Sequence, residues 1–150
     1  ARQNLQTQEP SSLLKVLEEE FVGQLSKTET FQFFYGVMNR RHLRMNYIIA
    51  GGVIGIHHKQ TTNALTRLPS EIPPVQNGVA LSQIAVRSLD FEPKDKLILC
   101  SPGILKVTNE KGEMFGEDLL YSIIKKSAQS DVHNLRNEIF FQLQQFAQGK

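Results

Sequence analysis

The sequence predicts an α+β domain, a layered sandwich of largely antiparallel β-sheet with flanking helices. Three observations predict it. One amphipathic helical stretch lies near the start, about six short strand-like runs follow, and two helical stretches close the chain. Strands grouped together with helices at the ends give segregated layers, not alternating βαβ units. The 150 residues are 40% hydrophobic and 21% charged, ordinary globular usage that supports a real core. A single domain over residues 1–150 is expected.

Residues 1–10 are polar and unpatterned, and read as a flexible lead-in or the tail of an upstream helix. Pro10, Ser11 and Ser12 signal a helix start. Leu14, Leu17, Phe21 and Leu25 follow at spacings of three and four on one apolar face. Glu18, Glu19 and Glu20 lie mostly off that face as a solvated acidic side.

From Phe31 to Met38 the chain reads as an aromatic-rich strand. Asn39-Arg40-Arg41 turns it into a second strand, Leu43 to Ala50. Gly51-Gly52 breaks the hairpin. Val53 to His57 resumes extended structure, and a polar turn at Lys59–Asn63 leads to a strand at 64–68. Residues 69–80, with Pro69, Pro73, Pro74 and Gly78, form a long irregular connection of the kind that often carries function.

Partial alternation over Ile84–Leu89 predicts a further strand. Glu92-Pro93-Lys94-Asp95-Lys96 is a turn, and Leu97–Cys100 has the continuous apolar pattern of a buried central strand. Ser101-Pro102-Gly103 ends it, and Asn109–Gly112 turns again. Leu119, Leu120, Ile123 and Ile124 mark one helix; Asp131 caps another, with Leu135, Ile139 and Leu143 inside.

Several function classes are disfavoured by composition. Net charge is only +2 and Trp is absent, which argues against a nucleic-acid partner. No run approaches the roughly 20 apolar residues of a membrane span, and no signal peptide is read at the start. Cys100 is the single cysteine, so neither an internal disulfide nor a Cys-based zinc cage forms, and a cytoplasmic location is expected.

Candidate chemical groups are few. His57 and His58 are adjacent, so on a strand they point to opposite faces and do not readily share one ion; no carboxylate is near them in sequence. His42 lies beside Arg40, Arg41 and Arg44 at a hairpin tip that could touch phosphate, although such tips are commonly charged for solubility. His133 has no identifiable partner. Ser101 follows a buried strand, but its setting is not the G-x-S-x-G nucleophile elbow. Cys100 sits in an apolar strand, which raises a thiol pKa. No P-loop, dinucleotide fingerprint or EF-hand is present. No catalytic residue and no metal ligand is assigned.

The order of the segments Phe31–Met38, Leu43–Gly52, Gly78–Leu81, Leu97–Gly103 and Gly112–Gly116 resembles the bacterial SpoIIE-type phosphatases, members of the metal-dependent PPM (type 2C) serine/threonine phosphatases. Ile49-Ala50-Gly51-Gly52 stands where that family has a motif close to Asn-Ala-Gly-His. Gly78-Val79-Ala80-Leu81-Ser82 stands for its Gly-x-Pro-Leu-Gly, and Glu92-Pro93-Lys94-Asp95 for its acidic-Pro-Gly-Asp turn. Ser101-Pro102-Gly103 stands for Thr-Asp-Gly. The run Asn109-Glu110-Lys111-Gly112-Glu113-Met114-Phe115-Gly116 matches the family's Asn-x-x-Gly-Glu-x-Phe-Gly well and is the most specific of the set. The resemblance covers about residues 12–147.

The departures carry as much meaning. The resemblance implies an aspartate metal ligand where Pro102 stands, and an Asn and a His where Ile49 and Gly52 stand. The family's upstream half, which supplies further metal ligands, and the Asp-Asp pair that opens its final strand are not in this sequence. The family uses two divalent cations to activate water and clamp phosphate; the proline side chain offers such hard ions no oxygen.

The expectation is therefore a partial, catalytically degenerate SpoIIE-type domain, a pseudophosphatase acting as a protein-binding regulatory module in bacterial signalling, with no cofactor. The resemblance implies a response-regulator domain or an anti-sigma or anti-anti-sigma protein as partner, and neither nucleic acid nor membrane. The expected binding surface is the ancestral phosphate cleft, Gly51, Gly52, Ser101, Pro102 and Gly103, with the Pro73–Gly78 loop. One alternative is a portion of an active manganese- or magnesium-dependent phosphatase whose other ligands lie outside this sequence. A second is a dimerisation domain, a homo-oligomer formed through the first helix or an exposed strand edge.

Overall fold

The computed structural model describes residues 9–20, 22–26, 28–70, 74–76, 81 and 84–149. Its secondary structure is α+β, and every strand pairing is antiparallel. Contacts gather into two compact units. The first comprises 1–53 and 69–91, the second 54–68 and 92–150.

In the first unit, helix α1 spans Pro10–Glu20. Pro10 sits at its first position, where a missing N–H breaks no helical bond. Leu14 is buried and Leu13 and Leu17 pack beside it, as the helical spacing requires. A 3-10 turn follows at Val22–Gln24. Of the expected lead-in at 1–10, residues 1–8 lie outside the described residues, as does the core position Phe21, and Pro10 belongs to α1.

Strand β1 is Thr30–Phe31, β2 is Phe33–Asn39 and β3 is Arg44–Ala50. The aromatic run is thus split at Gln32, and Leu43 belongs to the turn with a positive φ of 49°, not to the strand expected from 43. β3 lies between β2 and β7 (Arg87–Asp90) and is buried from Tyr47 to Ala50. Its period-two geometry separates two faces. Ile48 and Ala50, with Phe33, Tyr35 and residues of α1, form one core, while Tyr47 stacks on Phe34 at 5.9 Å on the other face.

Two expectations fail in this unit. The long connection is not wholly irregular, because β6 (Val75–Gln76) pairs with β1 through Thr30↔Gln76 and Phe31↔Val75. The Ile84–Leu89 strand starts only at Arg87. Ile84 closes a turn back to Leu81 with an N–H···O bond of 3.0 Å, so Leu81 and Ile84 fill the core without joining the ladder, while Ala85 and Val86 are exposed. Residues 71–73 and 77–80 lie outside the described residues.

In the second unit, β4 (Ile54–Lys59) runs between β5 (Ala64–Arg67) and β8 (Lys96–Cys100). Ile54 and Ile56 face helices α2 (Gly116–Lys126) and α3 (Val132–Ala147), where Leu120, Ile123, Ile124, Leu135 and Ile139 complete the core. Each fully buried branched residue here contributes about 1.5–3 kcal/mol. Asp131 caps α3 by accepting from the Asn134 N–H at 2.8 Å, as its position predicts.

The reading of Leu97–Cys100 as a buried central strand is overturned. Among the described residues β8 pairs only with β4, and Leu99 is 43% exposed. The central strand is β4, whose Gly and His residues hid it. Eight short strands are present among the described residues, more than the six expected, because β1 and β6 have only two residues each.

Candidate functional site

Gly51 and Gly52 form the turn after β3, at the end of the first unit. Gly51 has φ +77°, and a Cβ there would fall on the Gln32 side chain. Glycine is required on both counts. The Ser70 hydroxyl donates to the Gly51 carbonyl and holds the turn. Gly51 is buried and Gly52 exposed. Ile49, at the position that corresponds to the asparagine of the motif, is buried.

Ser101, Pro102 and Gly103 follow β8 in the second unit. Ser101 is extended, with φ −73° and ψ 154°, and its side chain caps no N–H. Pro102 opens a 3-10 helix over Pro102–Lys106, where a missing N–H breaks no ladder. Ser101 and Gly103 are exposed, and a Cβ on Gly103 would stand 3.7 Å from the Ser101 hydroxyl, its nearest neighbour. Gly51 with Gly52, and Ser101 with Pro102 and Gly103, are thus two contiguous groups, one in each unit. The Pro73–Gly78 loop is described only at 74–76.

The Asn109–Gly116 motif is a self-contained turn. Asn109 Oδ1 accepts from the N–H groups of Lys111 and Glu113 at 3.0 and 2.9 Å, and its amide donates to Glu113 Oε2 at 2.7 Å. Gly112 and Gly116 have positive φ. Phe115 is buried edge-on against Phe146 at 5.4 Å. These geometric demands explain the asparagine, both glycines and the phenylalanine without any chemistry.

The histidine pair holds what sequence reasoning missed. His57 Nε2 donates to Asp95 Oδ2 at 2.8 Å, so a carboxylate does lie beside it, 38 residues along the chain. The same carboxylate accepts from Gln60 N–H and Glu92 N–H, both at 2.9 Å. Its side chain is 1% exposed. Burial pushes the Asp95 carboxyl up, but the two backbone N–H groups and His57 outweigh it and hold it below the ordinary value. The β4–β8 pairing, which no local pattern announces, brings them together. His58, on the opposite face, donates from Nε2 to Asn63 Oδ1 at 2.8 Å. Its buried Nδ1 has no partner among the described residues.

Arg67, Glu117 and Tyr121 form a second polar cluster in this unit. Arg67 pairs with Glu117 at 2.7 Å and Tyr121 donates to the other oxygen of the same carboxylate at 2.5 Å. Burial, then the Glu117 hydrogen bond and charge, push the Tyr121 phenol up to about 12. Burial pushes the Cys100 thiol up as well, against the needs of a nucleophile. An apolar cavity of about 240 Å³ lies nearby, between β8 and α3, lined by Leu97, Leu99, Ile139 and Phe140 among others.

A pair of divalent cations needs several carboxylate or carbonyl oxygens converging on one point. Among the described residues no group of three or more His, Cys, Asp or Glu could hold a metal ion. The Asp95 carboxylate is engaged by three protein donors, and position 102 is proline. The described residues do not fit such a centre.

No curated protein sequence matches the chain. The solved SiaA-PP2C domain of Pseudomonas aeruginosa superimposes with a TM-score of 0.76 at 14% identity, covering 93% of this chain and 55% of that one. The phosphatase domain of the cell fate determinant SpoIIE from Bacillus subtilis gives a TM-score of 0.61 at 14% identity, covering 99% of this chain and 69% of that one. This chain thus spans about half of the one domain and about two thirds of the other, and shares their fold. The family model for stage II sporulation protein E (SpoIIE) matches residues 1–150, so the chain belongs to the SpoIIE family.

Proposed function

We propose that this chain is a catalytically degenerate SpoIIE-type domain that acts as a protein-binding regulatory module in bacterial signalling, in the cytoplasm. The observation that carries the reading is Pro102. It stands where the family motif has an aspartate, and truncation of a domain does not change a residue inside it. Ile49 and Gly52, in place of an asparagine and a histidine, support the same reading. Each unit has exposed positions of its own to offer a partner, Gly52 in the first and Ser101 and Gly103 in the second; the glycines leave room for a partner's backbone. The partner is a signalling protein of the response-regulator or anti-sigma class.

The direct test is hydrolysis of a phosphoserine peptide by the full natural-length protein, with and without manganese, beside an active family member. No turnover from folded protein is expected; manganese-dependent turnover overturns the reading. Partner capture is tested with Ser101→Arg and Gly103→Arg, both at exposed positions. Gly51→Ala is unsuitable because it disturbs the turn itself.

A second reading is favoured by the coverage. The matched structures contain substantially more chain than this one, so an active enzyme could draw its other ligands from outside these residues. The manganese-dependent assay separates the two readings.

A further inference from the structure

From Thr30 to Ser70 the chain contains no acidic residue but has five Arg or Lys, three of them at Arg40, Arg41 and Arg44. The β2–β3 turn gathers these three with His42. Its backbone is held in place. Asn39 Oδ1 accepts from the N–H groups of Arg41 and His42 at 3.0 and 3.2 Å, and the Phe91 N–H donates to the Leu43 carbonyl at 2.7 Å. Arg40 and Arg41 are exposed and form no ion pair among the described residues.

Beside the turn lies a polar cavity of about 670 Å³, lined by Asn39, His42, Arg44, Asn46, Met38 and Asp90 among others. Arg44 Nε and Asp90 stand 3.6 Å apart in an exposed pair, which contributes little by itself. A rigid basic tip therefore borders a cavity whose walls carry amides, a partly exposed Met38 and the Asp90 carboxylate.

We propose that this tip and cavity form a docking site for an acidic peptide segment of a protein partner. Carboxylates of the segment meet Arg40, Arg41 and Arg44, while the side-chain N–H groups of Asn39 and Asn46, whose oxygens already accept from Arg41 N–H, His42 N–H and the Ser88 hydroxyl, donate to its backbone carbonyls. Asp90 and Glu9, which also border the cavity, select against a continuous phosphate backbone, since every step of one would carry charge past them. A peptide can place a neutral or basic residue there. No exposed aromatic lines the cavity for base stacking. The site is ordered before binding, which limits the entropy lost on association. This inference does not depend on whether the domain has lost catalysis.

The experiment titrates a fluorescein-labelled Asp/Glu-rich peptide against the intact protein by fluorescence anisotropy at low and physiological salt. Saturable, salt-weakened binding is expected. The Arg40→Glu/Arg41→Glu variant should weaken it at least tenfold, and Arg40→Gln/Arg41→Gln by a smaller factor. Reversal of two lysines in the other unit, Lys106→Glu/Lys111→Glu, should change it less than twofold. Circular dichroism checks that each variant is folded. No saturable binding, an equal loss in the lysine control, or tighter binding to a single-stranded oligonucleotide or to phosphatidylglycerol vesicles overturns the proposal.

Discussion

Replacing Asp95 with alanine should unfold the second unit more easily than any other single change to a polar residue there. The carboxylate satisfies three donors, the His57 ring N–H and the backbone N–H groups of Gln60 and Glu92. A buried donor left without an acceptor costs about 1–3 kcal/mol. His57 is buried, Gln60 half-buried and Glu92 exposed, so water replaces the acceptor readily only for Glu92. The sum is about 3 kcal/mol, or a fall in Tm of about 6–12 °C for a chain of this size. Urea denaturation followed by far-UV circular dichroism measures it, with hydrogen exchange at β4 amides reporting on this unit. The acid limb gives an independent check. A carboxyl held below its ordinary pKa adds stability above about pH 4 that is lost as pH falls through the folded value. The gap between the natural protein and Asp95→Asn should therefore narrow below about pH 4. A loss under about 0.5 kcal/mol for Asp95→Ala, or a gap unchanged between about pH 7 and pH 3, refutes the reasoning.

Three further outcomes are expected. Gly51→Ala should cost about 2 kcal/mol or more, because a positive φ is compounded by the collision with Gln32; Gly112→Ala, at a similar φ with nothing within 4 Å, should cost about 1 kcal/mol, as chemical denaturation would register. Asp131→Ala should lose about 1 kcal/mol with the α3 cap, visible as faster exchange of the first-turn amides. In an ultraviolet titration Tyr121 should ionise near pH 12 and, in Glu117→Gln, at lower pH. Because its folded pKa is raised, the stability linked to Tyr121 is present below about pH 10 and is lost as pH rises towards 12.

The helices were legible because their information is local. The Leu14 and Leu17 spacing, the Asp131 cap and the Leu135–Ile139 stripe each declare themselves within two turns. The hairpin at Asn39–Arg44 was legible for the same reason. What was not legible depends on pairing between distant segments. The apolar density of Leu97–Cys100 suggested a central strand, whereas β4 occupies the centre with Gly55, His57 and His58 among its residues. Asp95 looked like a turn residue, and only the register His57↔Leu97 reveals it as the partner of His57. The family motifs marked Gly51, Ser101 and Pro102 as positions of interest, but their spacing says nothing about which unit each joins.

Each unit is assembled from two separated pieces of chain, and the polypeptide passes between the units three times, after residues 53, 68 and 91. On the ribosome the first unit cannot be completed until residue 91 has emerged, and the β4–β5 hairpin waits meanwhile for β8. Closing these long loops before their contacts form slows folding. Proteolysis would discriminate sharply between the three crossings. A nick after residue 68 divides both cores at once, so neither fragment carries a whole unit. A nick after residue 91 leaves both pieces of the first unit on one fragment, with the β4–β5 hairpin attached but stripped of β8 and its helices. The released 92–150 fragment lacks β4, the centre of its sheet, and should not fold by itself. Expressing the first unit without the hairpin would require residues 53 and 69 to be joined by a new linker.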